Sequence, residues 1–315
     1  MKLIIRILGV LLLACCVFAV AGVFATWAPD RPVKALADRW APPPSQFLEL
    51  EGMQVHLRDE GPRDDPMPIV LLHGTSASLH TWDGWVRGLG GQRRVIRFDL
   101  PAFGLTGPQP NNDYSIAAYV RLVHAVVDKL GVQKFVLVGN SLGGQIAWGT
   151  ALAMPQRVGK LVLVDSAGYP LQSTSVPIGF QIARTPGFRV LMEHVLPRGV
   201  VLSSVRNVYG DPSRVTPELV DRYYELTLRA GNRRALAHRM DQRLSGEEAN
   251  IKTLAVPTLI LWGGKDHLIP LDTAHRFAAD IKGSRLVVFD ELGHVPHEED
   301  AQKTVAAFKT FLAAP

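Results

Sequence analysis

The middle of the chain reads Lys134-Phe135-Val136-Leu137-Val138-Gly139-Asn140-Ser141-Leu142-Gly143-Gly144, and this stretch decides the fold. An apolar, β-branched segment stops at a glycine, a serine follows, and two more glycines open a segment of helical character. Such a Gly-x-Ser-x-Gly pattern predicts a sharp strand-to-helix turn that holds Ser141 beside the N-terminus of the helix. Glycine on both sides of the serine lets the turn close tightly. The pattern alone leaves two interpretations open: a nucleophilic serine, or a turn whose small residues serve packing only.

Apolar segments alternate with amphipathic segments on both sides of this stretch. The segments predicted to be strands are 68–74, 94–99, 135–138, 160–165, 257–262 and 285–289. The clearest predicted helices are 114–130, 142–154 and 301–312. Because strands that are apolar throughout are buried on both faces, the pattern predicts an α/β fold with a mostly parallel sheet covered by helices on both faces.

The alternation stops between residues 166 and 252, where no clear apolar strand occurs. Helical segments replace it, and Thr216-Pro217-Glu218 has the threonine cap and first-turn proline of a helix start. We therefore predict a helical cap inserted over the carboxyl edge of the sheet. The predicted organisation is an N-terminal anchor or signal segment at 1–28, a proline-rich spacer at 29–45, two parts of a core at 46–165 and 253–315, and the cap at 166–252.

Candidate partners for Ser141 follow two later strands. Serine is a poor nucleophile unless a base takes its proton and a third group orients that base. Asp266 follows one predicted strand and His294 follows the next, so the chain presents serine, acid and histidine in that order. The carboxyl ends of parallel strands meet at one edge of a sheet. We therefore predict Ser141 as nucleophile, His294 as general base and Asp266 as the acid that orients it.

Three other residues compete for these roles. Asp165 also follows a predicted strand and is the alternative acid. His267 and His297 are the alternatives to His294. The two acidic residues after His297 indicate a surface position at a helix start, whereas Gly293 lets the loop turn inward at His294. We therefore favour His294 as the base.

The segment His73-Gly74-Thr75-Ser76 closes the strand predicted at 68–74. Backbone N–H groups after a strand-end glycine can stabilise the negative oxygen of a tetrahedral intermediate. We predict an oxyanion hole made by the N–H groups of Thr75 and Leu142. His73 is expected to hold this loop by hydrogen bonds rather than to take part in chemistry.

With these features the chain resembles the α/β-hydrolase superfamily over about residues 46–312. The segments that carry the resemblance are Leu72-His73-Gly74-Thr75, Phe98-Asp99-Leu100-Pro101-Ala102-Phe103-Gly104, Val138-Gly139-Asn140-Ser141-Leu142-Gly143-Gly144, Trp262-Gly263-Gly264-Lys265-Asp266 and Gly293-His294. The resemblance implies an α/β-hydrolase fold and a serine hydrolase with a helical cap. Dehalogenases and epoxide hydrolases share this scaffold but use aspartate at the position of Ser141, so the chain is not expected to be one of them.

Two segments bear on the substrate. Asn140 and the stretch Val215-Thr216-Pro217-Glu218-Leu219-Val220 are similar to hydrolases that cleave carbon–carbon bonds in ring-fission diketones. Those enzymes usually carry Gly-Pro-Gly after the His-Gly turn, where this chain has Thr75-Ser76-Ala77-Ser78. We therefore expect a carboxylic ester or related acyl compound as substrate, with the carbon–carbon bond of a vinylogous diketone as the alternative.

Composition argues against nucleic-acid binding, a disulfide framework and a metal site. The 315 residues are 47% hydrophobic, enough for a sizeable core, and the net charge is +5. Lys and Arg are scattered with no basic run interleaved with aromatics, so we expect no nucleic-acid partner. The only cysteines, Cys15 and Cys16, lie in the apolar N-terminal segment, which rules out a disulfide framework in the core. No histidine or carboxylate spacing suggests a metal site.

An apolar run extends from Ile7 to Ala28, after Lys2 and Arg6. About 20 apolar residues suffice to cross a membrane, so we predict an uncleaved transmembrane helix as the membrane partner, with the catalytic part favoured on the extracytoplasmic side. One alternative is a secreted protein whose signal peptide is cleaved near residues 19–21. A lipoprotein signal that ends at Cys15 is another.

The combined prediction is a membrane-anchored serine hydrolase that cleaves an apolar small-molecule ester or acyl compound through an acyl-enzyme, without a cofactor. An alternative from a different class is a non-catalytic, membrane-anchored binding protein that uses the pocket under the cap as a receptor. The intact set of Ser141, Asp266 and His294 favours the enzyme.

Overall fold

One eight-stranded sheet forms the centre of the molecule, whose computed structural model describes residues 2–170, 172–242 and 247–314. The strands are β1 Ser45–Leu50, β2 Met53–Glu60, β3 Ile69–Leu72, β4 Val95–Phe98, β5 Phe135–Asn140, β6 Val158–Val164, β7 Thr258–Gly263 and β8 Arg285–Phe289. Their spatial order is β1-β2-β4-β3-β5-β6-β7-β8. The β1–β2 and β2–β4 pairs are antiparallel, and all the others are parallel. The predicted α/β class with a mostly parallel sheet is therefore confirmed.

Helices cover both faces of this sheet, which explains why its central strands are apolar throughout. The helices on one face are α4 Ile116–Lys129, α5 Leu142–Ala153 and α11 Leu271–Asp280, and those on the other are α3 Asp83–Leu89 and α13 Ala301–Ala313. Successive side chains of a strand point to opposite faces. In β3, accordingly, Val70 and Leu72 join the first layer while Ile69 and Leu71 join the second.

In the described part of the chain between β6 and β7 there are five α-helices, which we call the cap helices. They are α6 Ile178–Arg184, α7 Pro186–Met192, α8 Arg198–Asn207, α9 Pro217–Thr227 and α10 Asn232–Asp241. Between these two strands, the described residues contain no further strand. The helix start predicted at Thr216 is present, because its side chain accepts the N–H of Leu219 at 3.2 Å. The exact boundaries of the cap at 166 and 252 stay predictions.

The N-terminal part of the chain packs against the cap helices. Helix α2 Val33–Trp40 buries Leu36 beside Leu226, and Trp40 Nε1 donates to Glu225 Oε2 at 2.7 Å. Residues 29–45, which we expected to be a spacer, thus include a helix that is fastened to α9.

The predicted membrane anchor is contradicted. Residues Lys2–Ala25 form helix α1, but no helix within the described residues combines the length and apolar character that a membrane crossing requires. The expectation of a membrane-anchored location and a membrane partner was therefore wrong. The Cys15 side chain of the alternative lipoprotein signal lies outside the described residues.

Candidate active site

Ser141 stands at the turn between β5 and α5, as the sequence predicts. Its backbone has φ +55° and ψ −117°, a conformation that strains any residue with a side chain. Glycine is required on both sides, because a Cβ on Gly139 would lie 2.0 Å from the carbonyl oxygen of Gly143, and one on Gly143 would lie 2.3 Å from that of Leu72. This close packing holds the serine in one position.

Asp266 and His294 are in direct contact at the ends of β7 and β8. His294 Nδ1 lies 2.7 Å from Asp266 Oδ2, and both side chains are buried. The other oxygen of Asp266 accepts the N–H groups of Leu268 and Ile269 at 2.8 and 2.9 Å. Three donors therefore fix the orientation of the carboxylate and stabilise its charge. With Nδ1 as the donor, Nε2 of His294 is left as a proton acceptor.

Asn140 connects the turn that carries Ser141 with the loop at residues 290–295, which carries His294 and which we call the histidine loop. Its Nδ2 donates to the carbonyl oxygens of Val164 and His294, at 3.1 and 3.0 Å. The N–H of His294 in turn donates to the carbonyl of Val208 in the segment after α8, at 2.8 Å. The sheet edge, the histidine loop and the cap segment are thus joined by hydrogen bonds around the candidate site.

Ser141 and His294 line one cavity of about 510 Å³. The cap helices supply most of its wall, which is apolar and includes Ile178, Phe180, Phe188, Leu191, Met192 and Val205. Among the described residues around it, Arg233 is the only Lys, Arg, Asp or Glu, and its Nη2 pairs with Asp30 at 2.6 Å. The mostly apolar lining suits a small-molecule substrate with an apolar body.

The two predicted oxyanion-hole donors lie beside the serine. Thr75 lines the cavity, and Leu142 is the first residue of α5. Neither N–H donates to another group among the residues that the structure describes, so both are available to an oxyanion. His73 is fully buried and holds this loop as expected: Nδ1 contacts the carbonyl of the next residue at 2.7 Å and Nε2 accepts the N–H of Leu100 at 2.9 Å.

The histidines that compete with His294 lie elsewhere. His297 is fully buried, and its ring centroid is 4.0 Å from that of Trp82, so the surface position expected for it was wrong. The short helix α12 Pro296–Glu299 packs against α3 and against the turn that carries Trp82, so this histidine is buried between them. Burial holds the pKa of His297 well below its usual value, so the ring is neutral at pH 7. His267 is exposed to solvent.

Asp165 lies next to the acid and the histidine of the candidate site. One ligand atom from each of Asp165, Asp266 and His294 falls within 4.8 Å of the others. The sequence indicated Asp165 only as an alternative acid, yet β6 and β7 are parallel neighbours, so the residues that follow them end side by side. His294 Nδ1 is taken by its hydrogen bond to Asp266, and Asp165 Oδ1 accepts the N–H of Gly263 at 3.0 Å, so these atoms do not form an open ligand set for a metal ion.

Glu299 has a role that sequence reasoning missed. Its carboxylate accepts the N–H of Gly293 in the histidine loop at 2.9 Å, and those of Gly210 and Asp211 after α8 at 2.9 and 2.8 Å. It therefore fastens the histidine loop to the cap segment. A four-residue helix is too short to show a buried face in the sequence, so no periodic signal could have indicated this role.

Glu298 makes a second connection between the histidine loop and the cap. It pairs with Arg222 of α9 and accepts the hydroxyl of Tyr223 at 2.9 Å. Tyr223 also lines the cavity, so this connection borders the space that a substrate would occupy.

Comparisons with known proteins give the chain its context. A family model described as the alpha/beta hydrolase fold matches residues 67–301. The 2-hydroxy-6-oxo-2,4-heptadienoate hydrolase of Pseudomonas putida is 29% identical over 276 residues, which cover 84% of this chain and 94% of that protein. The solved meta-cleavage product hydrolase of Pseudomonas fluorescens is 27% identical, with a TM-score of 0.72 over 85% of this chain and 96% of that one. A thermophilic esterase from Thermogutta terrifontis is 25% identical, with a TM-score of 0.68 over 82% of this chain and 93% of that one.

Proposed function

Since the chain belongs to the α/β-hydrolase fold family, we propose that it is a hydrolase in which Ser141 is the nucleophile, His294 the general base and Asp266 the acid that orients it. One observation carries the proposal. His294, joined to Asp266 at 2.7 Å, and the strained Ser141 line the same cavity. Such a pair beside a serine is the arrangement that activates a hydroxyl group.

The steps follow from the roles of these groups. Ser141 Oγ attacks a carbonyl carbon while His294 Nε2 takes its proton, and Asp266 stabilises the imidazolium that forms. The N–H groups of Thr75 and Leu142 hold the negative oxygen. His294 then delivers the proton to the leaving group, and water, activated by the same histidine, releases the acyl group.

For the substrate, the relatives support the carbon–carbon alternative better than the ester that the sequence favoured. The relatives from Pseudomonas are a 2-hydroxy-6-oxo-2,4-heptadienoate hydrolase and a meta-cleavage product hydrolase, and the first of these names describes a vinylogous diketone of the kind that the sequence resemblance implies. We therefore place the vinylogous diketone first. After attack on its ketone carbon, the adjacent carbon–carbon bond breaks, and the electron pair passes into the conjugated system. The former ketone carbon stays bound to Ser141 Oγ as an acyl-enzyme, and His294 delivers its proton to the conjugated fragment that leaves.

A carboxylic ester is the second candidate, and the cavity favours it. Its wall is apolar, and the one charged side chain found among the described residues around it, Arg233, is already paired with Asp30. An apolar acyl or alkyl chain would bury its surface there at a gain of about 25 cal/mol per Å². The esterase from Thermogutta terrifontis shares the fold at 25% identity.

Two measurements test the proposal. A fluorophosphonate probe should label the protein covalently, should fail to label Ser141→Ala, and should still label the matched variant Ser203→Ala, whose serine is exposed on α8. Equal labelling of Ser141→Ala would refute the nucleophile. An unlabelled native protein would support the binding-protein alternative.

The second measurement compares kcat/KM for a vinylogous diketone with kcat/KM for aryl esters of graded acyl length. Faster turnover of the diketone supports the carbon–carbon assignment. Faster turnover of the esters with probe labelling intact would overturn that assignment and leave the serine mechanism standing.

A further inference from the structure

Asp165 is a buried acid that the proposed steps do not use. It follows β6 directly, is fully buried, and has φ +43°, a conformation unfavourable for a residue with a side chain. Its Oδ1 accepts the N–H of Gly263 at 3.0 Å. Its Oδ2 is buried, and no donor among the described residues reaches it. An ionised carboxylate with one oxygen buried and without a donor is costly, so the group is better satisfied as the neutral acid.

The neighbouring acid has the opposite surroundings. Asp266 accepts from two backbone N–H groups and from His294, whereas Asp165 accepts from one. The two carboxyl groups lie within 4.8 Å of each other in a site closed to solvent, and two like charges at that separation do not both persist. Burial, and then the charge of Asp266, hold the pKa of Asp165 well above its usual value. The proton therefore belongs to Asp165, and the charge to Asp266.

We propose that Asp165 is a positioning residue: as the neutral carboxylic acid it donates a hydrogen bond from Oδ2 to the carboxylate of Asp266, and so holds that carboxylate toward His294. This inference rests on the proposed function only in that it takes His294 to be the general base. The titratable groups around Asp165 are Asp266, His294 and Glu299. None of them supplies a cation when His294 is neutral, so among the described groups only the N–H of Gly263 favours ionised Asp165, and burial and the charge of Asp266 outweigh it.

The protonated state has a direct readout that needs no turnover. In protein with isotope-labelled aspartate, infrared spectroscopy at pH 7 should show the carbonyl stretch of one protonated carboxyl group, and Asp165→Asn should lack it. In Asp266→Asn the neighbouring charge is gone, so the band should vanish at a lower pH than in the native protein. A native protein without the band, or a band that survives in Asp165→Asn, would overturn the proposal whatever the enzyme's activity.

The positioning role is tested by two variants and a pH profile. Asp165→Asn keeps a neutral donor in the same shape, so kcat/KM should stay within about threefold of the native value. Asp165→Leu removes the donor and should lower kcat/KM by about tenfold, the effect of one hydrogen bond. Without that donor, Asp266 attracts the imidazolium of His294 more strongly. In a plot of the rate of fluorophosphonate inactivation against pH, the fall in rate on the acid side should therefore move to higher pH in the leucine variant. It should stay in place in the asparagine variant.

If Asp165 had a merely structural role, the leucine variant would react more slowly but the acid side of its pH profile would not move. If the acid side moved to lower pH in Asp165→Asn, Asp165 would be ionised in the native protein. Either result would refute the proposal. Thermal unfolding of both variants checks that they are folded. If the leucine variant does not fold, the infrared band and the asparagine variant still decide the matter. If the probe did not label the native protein but the infrared band were present, the proposed function would be refuted. The hydrogen bond from protonated Asp165 to Asp266 would still stand.

Discussion

Ser141 is held in a backbone conformation whose cost is on the order of 1–3 kcal/mol, and the neighbouring glycines are what keep it there. We expect Gly143→Ala to push α5 away from β3, because the new Cβ would lie 2.3 Å from the carbonyl oxygen of Leu72. The variant should lose about 1–3 kcal/mol of unfolding free energy through overpacking. Its activity should fall at least a hundredfold, since the N–H of Leu142 moves with the helix.

The control for this prediction is Gly199→Ala, because a Cβ at that position of α8 meets nothing within 4 Å. Chemical denaturation and kcat/KM for both variants provide the comparison. Equal behaviour of the two variants would show that the serine turn is not packed as tightly as these contacts require.

A second prediction at the residue scale concerns Asp266. Asparagine in its place would present an amide to His294 and favour the wrong tautomer of the ring, so kcat should fall about 10⁴-fold while the substrate KM changes little. Asp64→Asn, at an exposed position, is the matched control. An Asp266→Asn enzyme with more than a tenth of the native kcat would contradict the assigned role.

At the scale of elements, the contact between α9 and α12 can be tested through the ion pair of Arg222 and Glu298. Arg222 and Glu298 are mostly buried, with side chains 13% and 8% accessible. Removing one partner of a buried ion pair typically costs about 3–5 kcal/mol, because the other charge stays buried and alone. We expect Glu298→Ala to lose about that much stability and Arg222→Met/Glu298→Leu to recover part of it, as measured by denaturant unfolding.

The pair formed by Arg234 and Glu193 serves as the control, since Arg234 is 67% accessible. Breaking an exposed pair should change the unfolding free energy by less than about 1 kcal/mol. If the Arg222–Glu298 pair proves no more costly to break than this one, the cap is not fastened to the histidine loop by that contact.

The same scale shows what the sequence could and could not predict. The buried parallel strands and the order of serine, acid and histidine were readable, because an apolar run and a glycine at a strand end are local signals. Strands β1 and β2 were not predicted, since β1 is an edge strand without a buried residue and the buried positions of β2 include the polar His56 and Asp59. The inward position of His297 and the place of Asp165 beside Asp266 were not readable either, because both depend on which strands and helices become neighbours.

At the scale of the whole molecule, Asp99 links stability to pH. It is fully buried, accepts the N–H groups of Leu79 and Leu105 at 2.8 and 2.7 Å, and lies 2.7 Å from His56 Nδ1. Burial alone would raise the pKa of Asp99, but the neighbouring histidines, His56 first, outweigh it and hold the pKa below its usual range. Its contribution to stability is therefore complete above about pH 4, the unfolded value, and is lost as the pH falls below that.

We expect Asp99→Asn to lower the unfolding free energy by about 3 kcal/mol at pH 7. The difference from the native protein should be constant above about pH 4 and should shrink as the pH is lowered further. Denaturant unfolding at several pH values measures it, with Asp64→Asn as the exposed control. A difference that does not depend on pH would show that Asp99 acts through packing alone.

The pairing of Asp30 with Arg233 has a practical consequence for anyone who prepares this protein. Arg233 faces the cavity, and its carboxylate partner lies among the first thirty residues of the chain. Trimming the N-terminus to aid purification or crystal growth would leave a guanidinium group beside an apolar wall without its counter-charge. A shortened enzyme should therefore turn over anionic compounds better and long apolar ones worse than the full chain. A substrate profile measured on it would describe the truncation, and Asp30→Asn in the full-length protein would reproduce the same change.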